Sequence, residues 1–179
     1  MAYKFNKITV LIVEDTQEMF EITRAVLQTF GINSTISAND LRSGWRKFCN
    51  YNPDLVIIDW LENGSLEDQG AIADGLKLMH AIRHDDKSPN KFVPAIMMTG
   101  YSIKRNINLA RDYGATEFIA KPFTAETLYR RMEHIIEHPR RFVRAPGFFG
   151  PDRRRREDNP PQFDRRAAEI DFEPSKEKL

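Results

Sequence analysis

Residues 54–60 read Asp-Leu-Val-Ile-Ile-Asp-Trp (DLVIIDW). Four consecutive apolar residues, Leu55 to Ile58, run straight into a carboxylate. A run this short, opened by Asn52-Pro53-Asp54, has the length and β-branched content of a strand buried on both faces. Such strands belong to parallel sheets covered on both sides, so this stretch sets the fold class. Its last residue, Asp59, poses the functional question. A strand ends in an acid because a polar turn has begun, or because α/β proteins place their chemistry at the C-terminal edge of the sheet.

The flanking sequence favours the second answer. Ile8–Val13 is another β-branched run, and it too ends in acids, Glu14-Asp15. Thr16 is placed to cap a helix carrying Met19, Ile22, Ala25, Val26 and Phe30 at helical spacing, with Gly31 as its stop. Asn33–Ser37 is a weaker strand, and Asp40–Tyr51 a helix with Leu41, Trp45 and Phe48 on one face. After a polar loop, Gly75–His84 resumes helical spacing, and Phe92–Met98 is the fourth strand. Ser102 caps a helix to Tyr113-Gly114, Glu117–Ala120 is a short fifth strand, and Thr124 caps a final helix. Strand and helix alternate five times with short connections. Right-handed helical crossovers are the usual way to join parallel strands. The expected fold is a five-stranded, doubly wound α/β domain over residues 6–138.

The totals agree with one domain and an appendage. The 179 residues are 41% hydrophobic and 30% charged, enough apolar material for a core. Residues 1–138 carry 16 Lys and Arg against 18 Asp and Glu, and residues 139–179 carry 11 against 8, so a weakly acidic body bears a weakly basic tail. Cys49 has no partner for an internal disulfide and reads as a buried thiol in a reducing compartment. No apolar run approaches the roughly 18 residues a membrane span needs. The start, Met-Ala-Tyr-Lys-Phe-Asn, lacks the apolar core of a signal peptide. A cytoplasmic location and no membrane partner are expected.

In such a sheet the ends of strands one, three, four and five share one edge. They deliver Glu14 and Asp15, then Asp59, Thr99 and Lys121. Three carboxylates repel one another at neutral pH, so a cation is expected among them. Hard oxygen ligands without Cys or His nearby make Mg²⁺ the natural choice. The Lys121 ammonium and Thr99 hydroxyl then suit phosphate oxygens, which leaves Asp59 as a nucleophile able to carry a phosphoryl group.

The fragments IVED (12–15), LVIIDW (55–60), MMTG (97–100) and AKPF (120–123) together resemble the receiver domain of bacterial two-component response regulators, of the chemotaxis type. The resemblance spans residues 6–138, with four motifs in register at the ends of the right strands. It implies that Asp59 is the phosphoacceptor and that Glu14 and Asp15 bind Mg²⁺, Asp15 directly. It implies that the Leu61 carbonyl completes the metal shell, that Thr99 is the switch hydroxyl, and that Lys121 contacts the phosphoryl oxygens. It makes Phe118 the aromatic switch residue and the peptide bond before Pro122 a candidate cis bond. The implied partners are a histidine kinase or histidine phosphotransfer protein, and a downstream protein on the face of the fourth helix, fifth strand and fifth helix.

The loop after Asp59 departs from the family. Asp74-Gly75 arrives roughly eight residues late, and the inserted stretch carries Glu62, Glu67 and Asp68. A tolerated surface loop is the first reading and a specificity element or lid the second. Leu61 and Tyr101 hold two positions that tune hydrolysis in the family, and neither an apolar nor a bulky aromatic side chain orients an attacking water as a carboxylate or amide does, so slow self-dephosphorylation is expected. His80/His84 and His134/His138 have metal-binding spacing but no third ligand, and read as partly exposed helix histidines.

After Pro139 the alternating pattern stops. Residues 139–179 are rich in Pro, Arg and Asp, including the run Arg153–Arg156, and have too few branched apolar residues for a second core. An extended, disordered tail is the first reading. An interaction arm is the second, with Phe142, Phe148, Phe149, Phe163 and Phe172 anchoring on its own domain, a second protomer of a homodimer or a partner. Nucleic acid ranks third, because acids dilute the arginines. The expected function is a single-domain response regulator that is no enzyme beyond forming and losing its own aspartyl phosphate. The rivals are a DNA-binding regulator acting through the tail and an unphosphorylated pseudo-receiver scaffold.

Overall fold

The structure, a computed structural model, describes residues 5–61, 72–100 and 104–152. Its elements alternate as expected: β1 (Thr9–Val13), α1 (Gln17–Thr29), β2 (Ser34–Ala38), α2 (Leu41–Tyr51), β3 (Leu55–Asp59), α3 (Asp74–His84), β4 (Ala95–Thr99), α4 (Lys104–Asp112), β5 (Glu117–Ala120) and α5 (Ala125–Glu137). The five strands form one parallel sheet in the order β2-β1-β3-β4-β5.

Strand alternation divides the core into two layers. Leu11, Val13, Val56, Ile58, Ala95 and Met97 face one way, and pack with Phe48, Leu76, Met79, Ile82 and Ala110 from α2, α3 and α4. Val10, Ile12, Leu55, Ile57, Ile96 and Met98 face the other way, and pack with Phe20, Leu27, Leu128, Met132 and Ile135 from α1 and α5. Leu55 to Ile58 are all buried, as their uninterrupted apolar run requires.

Some boundaries differ from expectation. β4 starts at Ala95, not Phe92, because Pro94 has no N–H to give the ladder; its carbonyl still accepts the Val56 amide at 3.0 Å. Thr16 holds the N-cap position of α1, but its hydroxyl turns to the Asp15 carboxylate at 3.2 Å and does not cap the helix. Asp40 caps α2 through the Ser43 amide at 2.7 Å, and Thr124 caps α5 through the Thr127 amide at 3.1 Å. Cys49 is half-buried, and burial raises its thiol above the usual range, with Asp85 adding to the shift. The inserted loop from Glu62 to Asp68, Tyr101, Ser102, Arg153–Arg156, Phe163 and Phe172 lie outside the described residues.

The ordered chain does not stop at residue 138. β6 (Phe142–Ala145) and β7 (Phe148–Pro151) form an antiparallel hairpin. Pro146-Gly147 makes its turn with Gly147 at φ +73°, a conformation glycine adopts without steric cost. Phe142, Val143 and Phe149 are buried. The rings of Phe142 and Phe149 lie 5.1 and 5.4 Å from that of Phe92 in the α3–β4 loop. The first part of the tail therefore packs on the domain, as the second reading of the tail expects of Phe142 and Phe149 and the reading as a disordered tail does not. Three apolar side chains suffice because the domain supplies the opposite wall of their cluster.

Candidate functional site

Sheet register assembles the site. Val13 pairs with Ile58, so Glu14 leaves β1 beside Asp59 at the end of β3. Asp59 pairs with Met98 and Thr99 with Ala120, so Thr99 closes β4 and Lys121 follows β5 at the same edge. The Lys121 amide donates to the Thr99 carbonyl at 2.7 Å, and the Lys121–Pro122 peptide is cis. The sequence-predicted acids do converge: one carboxylate oxygen from each of Glu14, Asp15 and Asp59 lies within 4.8 Å of the others. Glu14 is buried, Asp59 half-buried and Asp15 exposed.

Lys121 joins the buried pair. Its Nζ donates to Glu14 Oε2 at 2.6 Å and meets Asp59 Oδ1 at 2.7 Å. Burial alone would lower the Lys121 pKa, but these bonds and charges outweigh it and hold the ammonium above its ordinary value. Glu14 is pushed up, first by burial and further by the Asp59 charge, against the opposing bond from Lys121. One ammonium among three carboxylates leaves negative charge uncompensated. That excess, on oxygen donors at a partly open sheet edge, fits a hard divalent cation such as Mg²⁺.

Thr99 is fully buried at this edge. Phe118 is half-buried and packs against the core under α2, α3 and α4. Leu61 is buried with φ +50°, and its carbonyl accepts the Asp74 amide at 3.2 Å; the second lone pair is the one that can serve a metal. The rings of His80 and His84 stack at 4.3 Å on α3, and those of His134 and His138 meet at a tilt, 4.9 Å apart, at the end of α5. Neither pair belongs to a group of three metal-competent side chains among the described residues.

Two contributors escaped the sequence reading. Gly75 opens α3 directly against the end of β3: its amide donates to the Trp60 carbonyl at 3.1 Å, and a Cβ there would stand 2.2 Å from the Asp59 carbonyl oxygen. Only glycine fits, and the Asp74-Gly75 pair was its visible signal. Glu117 is a buried acid on β5 that accepts from Arg131 and Arg140, each at 3.2 Å, with His134 at 3.6 Å. It anchors the chain leading from α5 into the hairpin, and a lone Glu in a strand gives no such warning.

Known proteins share this architecture. The family described as "Response regulator receiver domain" matches residues 10–133. Chemotaxis protein CheY of Pseudomonas aeruginosa is 29% identical over 128 residues, covering 72% of this chain and 95% of its own. Chemotaxis protein CheY-3 of Vibrio cholerae is 30% identical, covering 72% and 91%. Among solved structures, a putative response regulator from Chloroflexus aurantiacus superposes with a TM-score of 0.61 at 26% identity, covering 72% of this chain and 96% of that one. Chemotaxis protein CheY4 of Vibrio cholerae superposes at 0.59 and 25% identity, covering 72% and 98%. The family match spans more than half of the chain and the fold agrees with the solved structures, so the chain belongs to the response regulator receiver domain family, with the chemotaxis type as its likeness.

Proposed function

We propose that the chain is a phosphorylation switch in which Asp59 accepts a phosphoryl group from the phosphohistidine of a histidine kinase or phosphotransfer protein. The observation that carries this reading is Lys121 Nζ held between Glu14 and Asp59, with Thr99 closing the neighbouring strand. An Asp59 carboxylate oxygen attacks phosphorus, the P–N bond breaks, and the histidine leaves with the electron pair and takes up a proton. Lys121 is charged and already aimed at that carboxylate, so it neutralises the phosphoryl oxygens as they arrive. Glu14, Asp15, Asp59 and the Leu61 carbonyl would hold Mg²⁺, which supplies neutralising positive charge to carboxylates and phosphoryl oxygens alike.

The new dianion then draws on Thr99. Movement of that hydroxyl frees space for Phe118 and reshapes the surface formed by α4, β5 and α5, where a downstream protein docks. On this reading the chain is no enzyme beyond handling its own acylphosphate, and it works in the cytoplasm beside its kinase. No described helix is long and apolar enough to cross a membrane.

Trp60 is buried directly after Asp59 and reports on both events. In a Trp45→Phe background, Mg²⁺ is expected to change its emission, and acetyl phosphate to change it again. Thr99→Ala is expected to keep the first change and lose most of the second. A full second change in Thr99→Ala would exclude Thr99 as the switch.

A further inference from the structure

The hairpin lies beyond the residues that match the family and encloses something of its own. Between β6–β7 and the C-terminal end of α3 is a cleft of about 250 Å³. It opens at the edge of the sheet opposite Asp59, because α3 runs antiparallel to the strands. Its walls are Arg83 and His84 from α3, Asp86 and Lys91 from the following loop, and Arg144, Phe148 and Phe149 from the hairpin.

Arg83 is the unusual member. Only 1% of it is exposed, yet no carboxylate pairs with it among the described residues. Its Nε donates to the Gly114 carbonyl at 3.0 Å and its Nη1 to the Lys91 carbonyl at 2.8 Å. Its guanidinium carbon stands 5.0 Å over the Phe142 ring. Nη2 has no hydrogen-bond partner among the described residues. Neutral carbonyls and a ring do not cancel a buried charge, and an unmade hydrogen bond on a charged group is costly. Burial brings its pKa down to about 9, which still leaves it charged at neutral pH. The surroundings add positive charge. Arg144, whose guanidinium lies 5.2 Å over the Phe149 ring, and Lys91 flank the opening. The one acid, Asp86, is fully exposed at the rim and meets Lys91 at 3.3 Å. His84 feels the same field: burial lowers its pKa first, and the charges of His80, Lys91, Arg144 and Arg83 lower it further.

We propose that this cleft binds a small phosphate-bearing anion, with Lys91 and Arg144 on its oxygens, the Arg83 guanidinium supplying uncompensated positive charge from the wall, and Phe148 beside its organic part. Three cationic side chains against one rim carboxylate match a dianion. A tetrahedral dianion offers separate oxygens to the Lys91 ammonium from the α3–β4 loop and the Arg144 guanidinium from the hairpin, and carries the second charge that a carboxylate lacks. The volume exceeds that of phosphate alone, leaving room for a substituent against the ring. The hairpin supplies part of the wall, so occupancy would tie residues 142–151 to the domain. The inference is independent of phosphorylation at Asp59.

The test is an NMR titration of the full chain in EDTA, with inorganic phosphate in one arm and adenosine monophosphate in the other. Wild type, Arg144→Gln and Lys91→Gln are compared; neither residue belongs to the Asp59 site, and both keep part of their surface in solvent. Saturable shifts of the Arg83 Nε–H and the Gly114 and Phe149 amides are expected, with affinity at least tenfold weaker in both variants and unchanged melting temperatures. Tighter binding of the nucleotide would identify an ester as the ligand class, and equal binding inorganic phosphate itself. Shifts that never saturate, that centre elsewhere, or that both variants reproduce at wild-type affinity would overturn the site.

Discussion

At the C-terminal edge of the sheet three carboxylates cluster, two of them on a single ammonium, Lys121; at the opposite edge Arg83, Lys91 and Arg144 gather with a single rim carboxylate, Asp86. The first cluster is built from strand ends, so the sheet register that holds the core also holds the chemistry. The second is built from the end of one helix, a loop and a hairpin, and takes its shape from side chains packing late in the chain. Both leave charge uncompensated, which favours no fold by itself. The difference lies in what each edge depends on. Changes at the acidic edge should remove function while the fold stands, whereas changes to the buried rings that hold the basic edge together should loosen the hairpin while phosphorylation stands.

The largest expected effect tests the basic edge. Phe149 is buried among Phe92, Phe142 and the Arg144 guanidinium. Phe149→Ala is expected to cost about 3 kcal/mol and lower the melting temperature by about 10 °C. Calorimetry checks this, and the rate of phosphorylation should be unchanged. Next comes Lys121→Met at the acidic edge. Removing a charge aimed at the transferring group should slow phosphorylation about a hundredfold, near 2.7 kcal/mol of barrier, as followed by stopped-flow Trp60 emission. Gly75→Ala breaks the separation on purpose. A Cβ 2.2 Å from the Asp59 carbonyl must push the α3 start and the β3 end apart, so about 2 kcal/mol of stability and phosphorylation should fall together.

The smallest effect is in pH. His84 and His134 both have pKa values lowered below 6.5, by burial first and then by neighbouring positive charges; Glu117 partly opposes the shift at His134. The folded state therefore binds fewer protons than the unfolded one below pH 6.5. Their contribution to stability is complete above that pH and is lost as pH falls through the folded-state values. Denaturant midpoints should decline below pH 6.5, and His84→Gln with His134→Gln should flatten that decline.

The two edges were also unequally legible in the sequence. The acidic edge could be read because β-branched runs mark strands, parallel order aligns their ends, and the residue after each run is then the site. Period and order sufficed, with no long-range packing to solve. The anchoring phenylalanines were legible, but the hairpin they form was hidden by its composition. Phe142-Val143 and Phe148-Phe149 flank a Pro-Gly turn signal, but stand in a stretch whose Arg, Pro and Asp content suggests a chain without a core. Arg83 was hidden for a related reason. A charged residue in the last turn of a helix reads as solvated, and only a segment about 60 residues further along the chain covers it. Gly75 showed itself as half of an Asp-Gly pair, but the carbonyl that forbids a side chain there appears only in three dimensions.

The central claim is that Asp59 carries the phosphoryl group. Its most direct test is intact-mass spectrometry after incubation with acetyl phosphate and Mg²⁺, on wild type and Asp59→Asn. A single phosphate adduct is predicted on wild type, absent when Mg²⁺ is withheld and absent in the variant. An adduct of equal size on Asp59→Asn, or none on wild type under any condition, would contradict the account.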